Sequence, residues 1–157
     1  MKKITRIFSV FISVFLFATT IALANSTQKV SAAPAPRLTQ FQIVGLAKPS
    51  EFNGQGVYIP RNQIDYNDFD SNVYIITRQM GYGNISYSID GGSYRSGVEI
   101  VRSPIQGYDS NGARAVVGWI TVQSISGLSS GNHTIRALCN STVGYGSISD
   151  AITISVR

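Results

Sequence analysis

Side chains able to do acid, base or nucleophilic chemistry are few in this sequence. His133 is its one histidine and Cys139 its one cysteine. A lone cysteine excludes an intramolecular disulfide framework and a multi-cysteine zinc site, and a lone histidine excludes sites built on paired imidazoles. A general base needs a reacting group within hydrogen-bond reach and a residue that orients it, and no motif around His133 supplies either. Cys139 alternates with Ile135 and Ala137, the pattern of a small buried hydrophobe. His133 and Cys139 are six positions apart on one predicted strand, nearly 20 Å at about 3.3 Å per residue, too far for a dyad. No catalytic residue is assigned, and no cofactor is expected apart from a candidate cation.

That cation is calcium. Asp65, Asn67, Asp68, Asp70 and Asn72 form the densest run of oxygen ligands, and alternate acidic side chains in a loop can gather around a hard cation. From Asp68 the run begins like a calcium loop, but Val73 stands where glycine is wanted and Gln79 where the bidentate glutamate would sit. Turn chemistry by short Asp and Asn side chains is the competing account. Asp90, Glu99 and Asp109 are the other acids near expected loops or strands. Nothing in their spacing sets any two at the separation a glycosidase acid and base require.

Aromatic residues are more informative. Tyr82 lies between Gly81 and Gly83, and Tyr145 between Gly144 and Gly146, so each ring is flanked by backbone free to adopt turn conformations. With Tyr94 and Tyr108 they form the expected ligand-binding set, as platforms for a sugar ring or anchors at an interface. The alternative is packing over the ends of a sandwich. Trp119, amid Val116, Val117, Ile120 and Val122, reads as core because that run is apolar on both faces.

The elements that carry these residues are short strands. From Leu38 onward, runs rich in Val, Ile, Thr, Tyr and Phe recur between Gly, Asn, Asp and Ser, the pattern of an all-β antiparallel sandwich or barrel, with no amphipathic helix. Ile85, Tyr87 and Ile89 share one face, and Asp90-Gly91-Gly92 then turns the chain. Asp-Gly supplies the positive φ angles of a two-residue hairpin, so a partner strand is expected over residues 93–102. Further strands are expected over 115–122 and 133–139, and at the end of the chain where Ile152, Ile154 and Val156 alternate with Thr153 and Ser155. Weaker ones fall at 39–46, 55–59 and 72–78.

Tyr87-Ser88-Ile89-Asp90-Gly91-Gly92, then Gly127-Leu128-Ser129-Ser130-Gly131-Asn132-His133-Thr134-Ile135, then Ile152-Thr153-Ile154-Ser155-Val156, resemble the end of a bacterial immunoglobulin-like or fibronectin-III-like module. The resemblance covers about residues 84–157 and implies an immunoglobulin-like β-sandwich of about 7–8 strands. It is nearly silent on activity, since such modules serve as spacers, adhesins and ligand binders alike. The whole chain, with Ala33-Pro34-Ala35-Pro36 and its repeated Gly-Tyr-Gly, also resembles the uncharacterised YolA-like secreted proteins of Bacillus. That family offers no chemistry to carry over.

Lys2, Lys3 and Arg6 precede the uncharged apolar run 7–23, the order of a secretory signal. Cleavage is expected after residue 24 or as late as residue 32, followed by a flexible linker 25–37 and a single domain over 38–157. Seventeen apolar residues approach the roughly 20 of a spanning helix, but small residues end the run where a peptidase would cut, so no membrane association is expected once the signal is gone. Its removal takes three cations and leaves ten Lys and Arg against eight Asp and Glu. The remaining cations are dispersed, which argues against a nucleic-acid partner. An exported domain without disulfides fits a Gram-positive bacterium. The expectation is a secreted, extracellular, non-catalytic module that binds cell-wall polysaccharide or another carbohydrate. The alternatives are an interaction or competition protein of toxin or inhibitor type that targets another protein, and a small wall-polymer hydrolase.

Overall fold

The computed structural model describes residues 35–52, 54, 58–109 and 111–157, the side chain of Tyr66 excepted. The expected signal segment 1–24, its later cleavage site and linker residues 25–34 lie outside the described residues. Residues 33–157 form one compact unit. Within it, Pro36 accepts a hydrogen bond from the Tyr82 amide at 3.1 Å, so the last residues assigned to the linker lie against the domain.

Nine strands are present among the described residues: β1 (Gln40–Ala47), β2 (Ile59–Pro60), β3 (Asp68–Phe69), β4 (Asn72–Met80), β5 (Gly83–Ile89), β6 (Val98–Tyr108), β7 (Arg114–Ser126), β8 (Gly131–Ser141) and β9 (Ser147–Val156). The expectation was about seven or eight; seven are long, and β2 and β3 have two residues each. A 3-10 helix (Arg61–Tyr66) links β2 to β3. No helix among the described residues is long and apolar enough to cross a membrane. One sheet has the order β2-β1-β4-β7-β6 and the other β3-β9-β8-β5. All pairs are antiparallel except β3 with β9.

Alternation builds the interior. Val73, Ile75, Thr77 and Gln79 of β4 point inward, as do Ile85 and Tyr87 of β5, Ile135, Ala137 and Cys139 of β8, and Ile152, Ile154 and Val156 of β9. Each large aliphatic side chain buried in this way stabilises the fold by roughly 1.5–3 kcal/mol. In β1 a bulge between Ile43 and Gly45 inserts one residue, so that Ile43 and Leu46 both reach the core while Val44 joins a second, smaller cluster on the outer face with Ala47, Ile76 and Val122. Phe52 covers that face, edge-on to Tyr74 at 5.4 Å between ring centroids.

Two polar struts cross between the sheets. The Tyr87 hydroxyl donates to Gln123 Oε1 at 2.7 Å inside the core, and burial pushes the phenol's pKa far up. At the other margin, Asp150 of β9 accepts from the Ile43 amide of β1 at 2.8 Å and pairs with Arg61. The Arg61 guanidinium also reaches the Ala151 carbonyl at 2.8 Å. Burial raises the Asp150 pKa, but Arg61 and the Ile43 and Ala151 amides outweigh it and hold the carboxyl below its usual range.

The hairpin expected after β5 is corrected. The turn itself is present: Asp90 has φ 50° and Gly91 φ 78°, and the Gly92 amide donates to the Ile89 carbonyl at 2.9 Å. Yet only Tyr87 and Arg95 pair across it. The chain then crosses to the other sheet, where β6 pairs with β7, while the ladder partner of β5 is β8. Trp119 is likewise not part of the core cluster. The first half of β7 is half-buried or exposed apart from Gly118, since β7 and β6 outreach the cover of the smaller sheet.

Replacing Tyr87 by Phe removes the partner of a buried amide and is expected to lower stability by about 1–3 kcal/mol in urea unfolding. Adding Gln123→Leu to that variant should recover most of the loss, because both polar groups are then gone from the interior.

Candidate functional site

Strand register places the four candidate tyrosines at two ends of the domain. Gly83 pairs with Ser141, Asn140 with Ser147 and Met80 with Gly118. Tyr82, Tyr145 and Tyr108, the last opposite Arg114, therefore belong to one end. Tyr94 follows the Asp90 turn at the far end of β5, about 20 Å away along the strand.

At the first end, Tyr145 is completely exposed (108%) and Tyr108 largely so (69%). Gly144 and Gly146 hold positive φ angles of 79° and 127°, a backbone that glycine adopts without strain, and the ring between them projects from the β8–β9 turn. Tyr108 ends β6 beside a turn stapled by Asp109, whose Oδ1 accepts from the Asn111 and Ala113 amides at 2.8 and 2.9 Å. Tyr82 is differently placed: it packs edge-on against Trp119 at 6.1 Å between centroids. The Arg102 guanidinium lies 5.3 Å from the centre of the Trp119 ring, within cation–π range.

At the opposite end is a constellation the sequence did not disclose. His133 Nδ1 lies 2.6 Å from Asp90 Oδ2, and its Nε2 lies 2.8 Å from the Ser129 carbonyl and 3.4 Å from Ser129 Oγ. Serine, histidine and aspartate are the residue types of a nucleophilic triad, but the hydrogen-bond pattern differs from one. Carboxylate and carbonyl oxygens accept, so this arrangement suits a ring protonated on both nitrogens. In that form the ring has no lone pair to receive the Ser129 proton. The bond to Asp90 and then the Ser129 carbonyl raise the His133 pKa. The same bond, with the Thr134 amide at 2.8 Å on Oδ1, lowers that of Asp90. The pair staples the start of β8 to the turn after β5. Asp90 and His133 are 43 positions apart, beyond any local motif.

Next to this staple is an open cleft of about 510 Å3 lined by Ser88, Asp90, Gly91, Gly92, Tyr94, Thr134 and Arg136. Its floor is the outer face of the β5–β8 pair, where Ser88 stands opposite Arg136. The turn folds over that floor, and Ser88 Oγ donates to the Gly92 carbonyl at 2.6 Å.

The expected calcium ligands do not converge. Asn67 Nδ2 donates to the Gln63 carbonyl at 2.8 Å, Asn72 Oδ1 accepts from Ser124 Oγ at 2.8 Å, and Asp70 pairs with Arg157 at 3.4 Å. Asp65 is an exposed residue of the 3-10 helix and Asp68 an exposed residue of β3. Among the described residues there is no group of three or more His, Cys, Asp and Glu side chains that could hold a metal ion. The other acids are also separated: Glu99 pairs with Arg102 at 3.1 Å, Asp109 staples its turn and Asp90 holds His133. Burial pushes the Cys139 thiol up to about 11, and it donates to Gln79 Oε1 at 3.5 Å, which leaves it protonated and unreactive at neutral pH.

The fold and these two ends define a small all-β sandwich with surface features suited to contact. Residues 33–154 match the family model described as domain of unknown function DUF4879, and the chain belongs to that family. No curated protein and no solved structure matches it.

The staple makes stability depend on pH in a definite direction. A raised His133 pKa stabilises the fold fully below the ordinary imidazole value of 6.5, and the effect disappears as pH rises through the folded value. A lowered Asp90 pKa stabilises it above the ordinary value of 3.8, and that effect disappears as pH falls through the folded value. Thermal midpoints across this range should be highest between the two ordinary values and fall on the alkaline side as His133 deprotonates. His133→Gln should flatten the alkaline limb.

Proposed function

We propose that this chain is an exported, non-catalytic binding module that grips a carbohydrate polymer of the cell wall through the end carrying Tyr108 and Tyr145. One observation carries the reading: Tyr145 is wholly in solvent on a turn whose two glycines have positive φ. An aromatic ring that covers no core is available to stack on the apolar face of a sugar, with its hydroxyl free to hydrogen-bond. Tyr108 adds a second exposed ring at the same end. Beneath them the Tyr82, Trp119 and Arg102 cluster supplies packing rather than a first platform.

Export is supported by the basic start and apolar run ahead of the domain. A module without catalytic chemistry is supported by the state of His133, by the buried thiol and by the dispersed carboxylates. The resemblance to secreted Bacillus proteins points to the same compartment.

The purified chain should be retained on insoluble wall polysaccharide, and Tyr108→Ala with Tyr145→Ala should abolish retention. Because both rings are exposed, the double variant should keep its stability to within about 0.5 kcal/mol per site. Retention unchanged in the double variant, or a large fall in thermal midpoint, would show that these rings serve packing and would overturn the reading.

A further inference from the structure

The cleft beside the Asp90 turn differs in chemistry from the aromatic end. The Asp90 carboxylate is already engaged, by the His133 ring at 2.6 Å and by the Thr134 amide at 2.8 Å. Arg136 is the remaining charge among the lining residues, and its side chain is in no salt bridge within the described residues. It rises from the outer face of β8, opposite Ser88 on β5 and Ala151 on β9. On that face Thr134 and Thr153 bring their hydroxyls within 3.3 Å of each other. Tyr94, half-exposed at 46%, forms an aromatic wall.

A guanidinium outside any salt bridge, in a cleft with one aromatic wall and the Thr134 hydroxyl on its floor, selects for a ligand of matching design. The planar fork of arginine pairs bidentately with a carboxylate or phosphate. The tyrosine ring covers the apolar face of a saturated ring, and the Thr134 hydroxyl exchanges a hydrogen bond with a ring hydroxyl. The volume of about 510 Å3 falls in the range of small-molecule clefts, about 300–1,000 Å3. We propose that this cleft is a binding site for an anionic sugar, a pyranose carrying a carboxylate or phosphate, with Arg136 holding the anion and Tyr94 the ring face. The site is separate from the aromatic end: Arg136 stands mid-way along β8, five residues short of Ser141, and Tyr94 follows the Asp90 turn, whereas Tyr145 projects from the turn beyond Ser141.

The test is a titration of the purified chain followed by amide chemical shifts, with three probes: glucuronate, glucose 6-phosphate and neutral glucose. Saturable shifts confined to the Asp90 turn and β8 around Arg136 are expected with an anionic probe, with glucose at least about tenfold weaker. Glucuronate ahead of glucose 6-phosphate identifies a carboxylate site, and the reverse order a phosphate site. Arg136→Gln should weaken the anionic probe by about tenfold or more and leave glucose unchanged, while Arg136→Lys should recover part of the loss. Tyr94→Ala should weaken all three. Equal affinity for glucose and both anions, no shifts with any probe, or full affinity in Arg136→Gln would each overturn the proposal. The Tyr108 and Tyr145 double variant should bind the anionic probe normally, so that failure of one site does not count against the other.

Discussion

Tyr87 is the residue on which the arrangement of the domain turns. Its ring fills the space between the sheets, and its hydroxyl meets Gln123 on the opposite sheet at 2.7 Å. Its own amide and carbonyl exchange hydrogen bonds with Arg95 at 2.7 and 2.9 Å. The first contact sets the distance and lateral position of the sheets, because a buried amide oxygen and phenol must meet or both lose a partner. The second holds the segment after the Asp90 turn against the edge of β5 for one residue pair. From there the chain crosses to the larger sheet past Gly97, where a side chain would press on Tyr87 and Gln123, its Cβ lying 3.1 Å from each. The same tyrosine thus fixes the interior, the closure of one sheet edge and the place where the chain changes sheets.

This explains which parts of the fold the sequence made legible. Strands β5, β8 and β9 declared themselves because each has a face buried in one core and period-two alternation records that burial directly, whereas β4 reads only as a weaker run and β7 as a run apolar on both faces. The Asp-Gly turn declared itself because positive φ is a local property of those residue types. The partner of β5 did not, since a turn fixes only where the chain reverses. Which strand then occupies the edge depends on Tyr87 and Gly97 meeting Gln123, which is 36 positions beyond Tyr87. Trp119 misled for a related reason: a run apolar on both sides reads as central, whereas β6 and the first half of β7 reach past the smaller sheet and leave the indole half-exposed under Arg102.

The candidate sites follow the same division. The exposure of Tyr145 was legible because its flanking glycines announce an exposed turn, and the packing of Tyr82 on Trp119 was not, because the identical flanking pattern says nothing about what lies nearby. The Asp65 to Asn72 run reads as a ligand set through proximity in sequence, which does not disclose the partner each side chain takes. In the structure β3 and β4 draw those side chains to Gln63, Ser124 and Arg157, separate partners on separate elements. The staple between Asp90 and His133 was invisible for the opposite reason: the two residues have no sequence relation, and β5 and β8 become neighbours only when the smaller sheet forms.

That staple also sets the character of the surface beside it. Asp90 adopts its positive φ at the turn, where aspartate is tolerated, and its carboxylate then takes the His133 ring and the Thr134 amide. Had the turn carried asparagine, the local geometry would survive, but a protonated His133 would lose its compensation and the start of β8 would be less firmly tied. With aspartate the carboxylate is engaged at the turn, and Arg136 is the charged side chain of the cleft lining outside any salt bridge. The backbone beneath Arg136 is fixed by its ladder with β5 and β9, and the Tyr87–Arg95 bridge fixes the backbone one residue away from Tyr94. The long arginine side chain makes no salt bridge, so a ligand that engaged it would have to order it, an entropic cost that a bidentate anion contact has to exceed. The pairing that closes the sheet edge therefore sets the backbone frame of the cleft, and the exposed side chains on that frame set its charge.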